Sequence, residues 1–259
     1  VETVELKPQS DAIYDYAGNA ALTSTTTGAK TLYDKLAPYV TDYSPADDAT
    51  GVSTTADLVL TFDDNMVKGS DNITIYNSDD SIFESMAVTD GKVSISSNEV
   101  TINPAGEFAS GGSYYVLIAA TALDDDNSNS YAGISDKTEW NFTCEDTAGP
   151  AISSGTVEAN NTYVTVVFDE GVYGDAGHSS AVEAADFGLT FVQNGGNATG
   201  ATISSVTNDS GGGLSGGEDT VRVYLSITGG TPSGVETVEL KPQSDAIYDY
   251  AGNAALTST

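Results

Sequence analysis

Hydrophobic and polar residues alternate along most of this 259-residue chain. Residues 56–62 read ADLVLTF, which puts Leu58, Leu60 and Phe62 on one face. A period of two marks a half-buried strand. The same pattern predicts strands at 72–76 (NITIY), 82–88 (IFESMAV), 92–95 (KVSI) and 99–102 (EVTI). Residues 113–120 (SYYVLIAA) are apolar on both faces, as a central strand requires. Residues 137–143 (KTEWNFT) carry Trp140 and Phe142 on one face. Turns rich in Asn, Asp, Gly and Ser separate these stretches. Seven short strands so spaced predict an antiparallel sandwich over residues 43–147.

A second set follows the linker EDTAGP. GPAI opens it, and 162–168, 186–192, 201–206, 219–227 and 235–240 are its strands. These predict a second sandwich over residues 148–259. Residues 1–42 read as the last strands of a preceding unit and then a linker, with Pro38 and Pro45 bracketing the boundary. The glycine-rich stretch 210–219 is a loop and not a phosphate cradle, since no Lys follows its glycines.

One stretch occurs twice. Val1 to Thr25 reads VETVELKPQSDAIYDYAGNAALTST, and Val235 to Thr259 repeats it residue for residue, at an offset of 235 − 1 = 234. Identity over such a length marks a tandem array with recently duplicated units. The chain is thus expected to be one repeat unit plus an overlap. The last strand of the second unit is expected beyond Thr259, in the sequence of residues 26–34. The N-terminal copy, cut from its own sandwich, is expected to pack against another copy of the chain.

Charge narrows the function. The chain holds 38 acidic and 8 basic residues, a net charge of −30. Nucleic acid is excluded as a partner, because phosphate binding needs clustered Lys and Arg. No stretch has the apolar length of a membrane span. No signal-peptide pattern opens the chain, as expected of an internal slice. A lone cysteine, Cys144, allows no internal disulfide and reads as a small buried strand residue. An acidic, thiol-poor extracellular chain points to calcium as its stiffener.

The carboxylates fall in matched places. Asp63 and Asp64 follow Phe62 in the first unit, and Asp169 and Glu170 follow Phe168 in the second. After the penultimate strands, Asp125 matches Asp249 and Asn129 matches Asn253. The N-terminal copy adds Asp15 and Asn19. The glycine of D-x-x-G-N, Gly252, is replaced by Ser128 in the first unit.

Both units resemble the bacterial immunoglobulin-like domains of S-layer proteins and giant tandem-repeat surface adhesins. The stretches that carry the resemblance are 44–52 (SPADDATGV), 58–66 (LVLTFDDNM), 100–118, 130–143 and 247–255 (IYDYAGNAA). The resemblance implies an all-β chain of two tandem immunoglobulin-like β-sandwich domains, stacked extracellularly and often holding calcium. In such a sandwich the loops after the second and penultimate strands meet at one pole, where the preceding domain attaches. Asp63 and Asp64 are thereby expected near Asp125 and Asn129, and Asp169 and Glu170 near Asp249 and Asn253. The arriving linkers add Asp42 to the first site and Asp146 to the second. Calcium takes roughly six to eight oxygens in flexible geometry, which such loops supply. Asp and Asn in these loops also close turns with no metal at all.

No catalytic constellation emerges. His178, the sole histidine, has no Cys or His partner for zinc, and no nucleophile motif accompanies it. The expectation is a non-enzymatic structural unit of a fibre, adhesin stalk or S-layer-like assembly at the cell surface. Its partners are other copies of itself, with a cell-surface glycan or protein as a further partner. The alternative is a glycan- or ligand-binding module of a secreted protein.

Overall fold

The computed structural model describes residues 2–257. The chain divides into two compact units, residues 1–145 and 146–259. Among the described residues, every regular element is a strand apart from one 3-10 turn at Ala184–Asp186.

The first unit opens with a short pair, β1 (Thr3–Val4) and β2 (Lys30–Thr31). Its sandwich is built from β3 (Val40–Ser44), β4 (Ala49–Val52), β5 (Leu58–Phe62), β6 (Met66–Lys68), β7 (Asn72–Asn77), β8 (Ile82–Ala87), β9 (Val93–Ser96), β10 (Glu99–Ile102), β11 (Ser113–Ile118), β12 (Leu123–Asp125) and β13 (Asn141–Cys144). One sheet runs β3-β5-β10-β9 and the other β4-β13-β11-β7-β8. All pairings are antiparallel except β4 with β13. The alternation at 58–62 is realised: Leu58, Leu60 and Phe62 are buried, while Val59 and Thr61 are half-buried. Each such side chain contributes about 1.5–3 kcal/mol when taken out of water. Trp140 is fully buried, and its Nε1 donates to the Pro45 carbonyl at 2.8 Å. Cys144 lies buried on β13, as the sequence predicts, and burial pushes its thiol up.

Two sequence expectations shift here. The linker predicted to run to residue 42 contains most of β3, whose alternation is too short to read alone. The strand predicted over 137–143 begins only at Asn141, because Asp136 folds a turn just ahead of it. Its Oδ1 accepts from the backbone N–H and the hydroxyl of Thr138, both at 2.9 Å.

The second unit comprises β14 (Ile152–Val157), β15 (Tyr163–Val172), β16 (Phe187–Val192), β17 (Gly200–Asn208), β18 (Glu218–Thr228) and β19 (Thr237–Pro242). Its larger sheet runs β14-β15-β18-β17, and β16 pairs with β19 alone. Val164, Val166, Phe168, Val221, Val223 and Ile247 anchor its core. Among the described residues this unit has no counterpart of β13.

The duplicated stretch has two fates. In the second unit Ile247 is fully buried, and Asp249 with it. In the N-terminal copy the same isoleucine, Ile13, is 57% exposed, and Leu6 is 65% exposed. That copy pairs with the segment that follows it, through β1 with β2 and a backbone bond from Thr27 N–H to the Leu6 carbonyl at 3.0 Å.

Candidate metal centre

The D-x-x-x-N loops fold alike in all three places. The Asn129 backbone N–H donates to Asp125 Oδ1 at 2.7 Å, and its side-chain Nδ2 donates to Oδ2 at 2.7 Å. Asn253 makes the same two bonds to Asp249 at 2.7 and 2.8 Å. Asn19 does so to Asp15 at 2.9 Å each. In every case the aspartate N–H reaches back to the asparagine carbonyl. The turn needs a left-handed residue before the asparagine. Gly18 and Gly252 supply it at φ 83° and 89°, and Ser128 adopts it at φ 66°. The departure from glycine in the first unit therefore leaves the loop geometry intact.

Asp63 and Asp169 have a different task. Asp63 Oδ1 accepts from the Tyr39 N–H at 2.8 Å, and its own N–H donates to the Tyr39 carbonyl. Asp169 holds Ala151 the same way, also at 2.8 Å. These two residues clamp the incoming chain against the second strand of each sandwich, and neither joins an acidic group.

The residues after them do converge. Asp34, Asp64 and Asp125 place a carboxylate oxygen each within 4.8 Å of one another, and so do Asp146, Glu170 and Asp249. In both groups the second-strand acid is half-buried and the loop aspartate buried. Asp34 and Asp146 each accept a backbone N–H from two residues on, Leu36 at 2.9 Å and Ala148 at 3.2 Å. In the second unit, burial and the nearby charges of Asp249, Asp146 and Asp169 push the Glu170 carboxyl up to about 7.

Asp42 is not part of the first group. It lies exposed on β3, opposite Thr61, and Asp34 takes its place. The signal was present in the sequence as a shared spacing. Asp34-x-x-x-Pro38-x-Val40 matches Asp146-x-x-x-Pro150-x-Ile152, so each acid stands six residues before the first inward-facing strand residue. Asp15 and Asn19 keep their loop, but no acidic group forms around them among the described residues. Bonds from Asn19 hold the Asp15 carboxyl below its usual value. His178 stands outside both groups, stacked on Tyr250 with ring centroids 4.5 Å apart.

Chemically, each group offers oxygen alone. Three carboxylates with no imidazole or thiolate suit a hard cation and exclude the nitrogen and sulfur preference of structural zinc. The loop aspartate is prepositioned by its asparagine, the second-strand acid is half-sheltered, and the linker acid comes in from solvent.

Residues 34–144 match the family model of the bacterial Ig-like domain. Over that stretch the first sandwich is similar to the bacterial Ig-like domain. The match opens at Asp34 and closes at Cys144, so it takes in the linker acid and the last strand. No curated protein matches the chain in sequence. Among solved structures, the chain is similar to the N-terminal part of the bacterial S-layer protein SbsC, with 15% identity and a TM-score of 0.31, over 78% of this chain and 43% of that one. It is also similar to the S-layer protein rSbsC(31-844), with 14% identity and a TM-score of 0.30, over 86% of this chain and 26% of that one. The chain spans less than half the length of either. Among the described residues, no helix is long and apolar enough to cross a membrane.

Proposed function

We propose that the chain is a non-enzymatic structural unit of a cell-surface fibre, adhesin stalk or S-layer-like assembly, with calcium bound at the acidic pole of each Ig-like sandwich. One observation carries the reading. Two sandwiches of different sequence draw an acid from the same three positions and bring them together, with the loop aspartate buried in each. A solvated acidic surface has no reason to repeat such an arrangement.

The mechanism is mechanical. Without a cation, three carboxylates at this separation repel one another, and the linker acid swings away. Calcium would be held by Asp34, Asp64 and Asp125 in the first unit and by Asp146, Glu170 and Asp249 in the second, neutralising that repulsion. The last residues of each linker are then tied to the loops of the sandwich that follows. Asp63 and Asp169 already hold the chain a few residues further on, so one added tie leaves the linker little freedom. A tandem array built this way is stiff with calcium and loose without it.

Calorimetric titration of the metal-free protein, with thermal melts in calcium and in chelator, tests the reading. Heat of binding and a raised melting temperature are expected. Calcium at about 100 times its Kd stabilises a folded domain by about 2.7 kcal/mol. No heat and no shift in melting would sink the proposal.

A further inference from the structure

We propose that Asn194 is a site of spontaneous deamidation, and that its side-chain amide is a tie between two loops of the second sandwich which the reaction removes. The acidic groups take no part, so this inference and the calcium reading fail separately.

The chain has one Asn-Gly pair, Asn194-Gly195, in the connection between β16 and β17. The pair forms the centre of a tight turn, closed by the Gly196 N–H donating to the Gln193 carbonyl at 2.8 Å. Both residues are left-handed, Asn194 at φ 48° and Gly195 at φ 78°, and Asn-Gly is the pair that such a turn favours. Turn geometry therefore accounts for the glycine, and the glycine has a chemical consequence. It has no Cβ, so its backbone nitrogen is unshielded from the asparagine side chain just before it. Every other asparagine of the chain precedes a residue with a side chain. A Cβ built at Gly195 would meet nothing within 4 Å, and both residues of the pair are exposed.

The reaction needs only water and hydroxide. The Gly195 backbone nitrogen gives up its proton to hydroxide and attacks the carbonyl carbon of the Asn194 side chain. That N–C bond forms as the bond to Nδ2 breaks, and ammonia leaves with a proton taken from water. Water then opens the cyclic imide at either carbonyl. The product is an aspartate, or an isoaspartate whose main chain runs through the former side chain.

The amide lost is one the fold uses. Asn194 Nδ2 donates to the Val235 carbonyl at 2.8 Å, joining this turn to the segment that leads into β19. Beside it, the Glu236 carboxylate accepts from the N–H groups of Ala198 at 2.9 Å and Ser233 at 2.8 Å. The Ala198 N–H foremost holds the Glu236 carboxyl down at about 2, which keeps it charged. After deamidation no donor faces Val235, since a carboxylate only accepts. Its new charge also adds to that of Glu236. The same bond restrains the intact amide, so attack waits on local opening of the turn. Such opening costs little at an exposed loop tip.

Incubating the full chain in warm, mildly alkaline buffer, with peptide mapping by mass spectrometry, tests the site. The mass gain of an amide turned carboxyl, together with isoaspartate, should accumulate at Asn194 ahead of every other asparagine. Gly195→Ala should slow it several-fold. No gain at Asn194, an equally fast gain at another asparagine, or Gly195→Ala reacting at the wild-type rate would overturn the site. Thermal melts test the tie. Asn194→Asp should lower the melting temperature of the second sandwich and leave that of the first unchanged. A second sandwich that melts as in the wild type would overturn the tie.

Discussion

Glu170 is the member of the second acidic group whose carboxyl its surroundings shift upward. Burial and three neighbouring aspartates raise its carboxyl from 4.5 to about 7. A carboxylate raised on folding makes the folded state the better proton binder between those values. Its contribution in chelator is therefore most favourable below about pH 4.5 and is lost as pH rises through 7. The metal-free second sandwich should lose melting temperature over that window relative to Glu170→Gln, which lacks the titration. Calcium bound as proposed would reverse the preference, so calorimetry should show binding at this site weakening as pH falls through 7. Ser128 gives a second test. Its left-handed conformation costs a residue with a Cβ roughly 1–2 kcal/mol, partly offset by the chain entropy that glycine brings. Ser128→Gly should stabilise the first sandwich by about 0.5–1 kcal/mol in denaturant melts, leaving the Asp125–Asn129 bonds in place.

The linker strands and pole loops are tuned to each other. A Cβ at Gly149 would lie 2.0 Å from the Ala254 carbonyl oxygen, beside the loop that carries Asp249. Gly149→Ala should push the linker off that loop, costing about 1–3 kcal/mol as an overpacked contact. Calorimetry should show weaker calcium binding in the same variant. The matching position of the first unit is already alanine, Ala37, and Ala37→Gly should change little. Long alternating strands such as 58–62 and 219–227 were legible because both faces of the pattern survive in the fold. The three-residue elements β6 and β12 were not, since a period of two cannot be read over so few residues. Asp34 was missed for a related reason. Its role is set by a spacing to Pro38 and Val40 that becomes meaningful only once Asp146 is seen to share it.

The two sandwiches should respond to calcium independently, because each acidic group draws all its members from one unit. Asp64→Asn should abolish the calcium shift of the first sandwich alone, and Glu170→Gln that of the second, read as separate transitions in calorimetric melts. The amino-acid sequence by itself determined the longer strands, the division into two all-β units, the acidic balance and the repeated stretch, because these are properties of local pattern and composition. It also determined the D-x-x-x-N loops, whose bonds run between residues four apart and form even in the exposed N-terminal copy. Only the tertiary structure decided which acids meet and what each copy of the repeated stretch becomes. Ile13 and Ile247 share every neighbour in sequence for a dozen residues before and after, yet one faces solvent and the other is fully buried. Burial depends on strands contributed from far along the chain, and the second unit surrounds its copy with β15, β16 and β18 where the N-terminal copy has only β2.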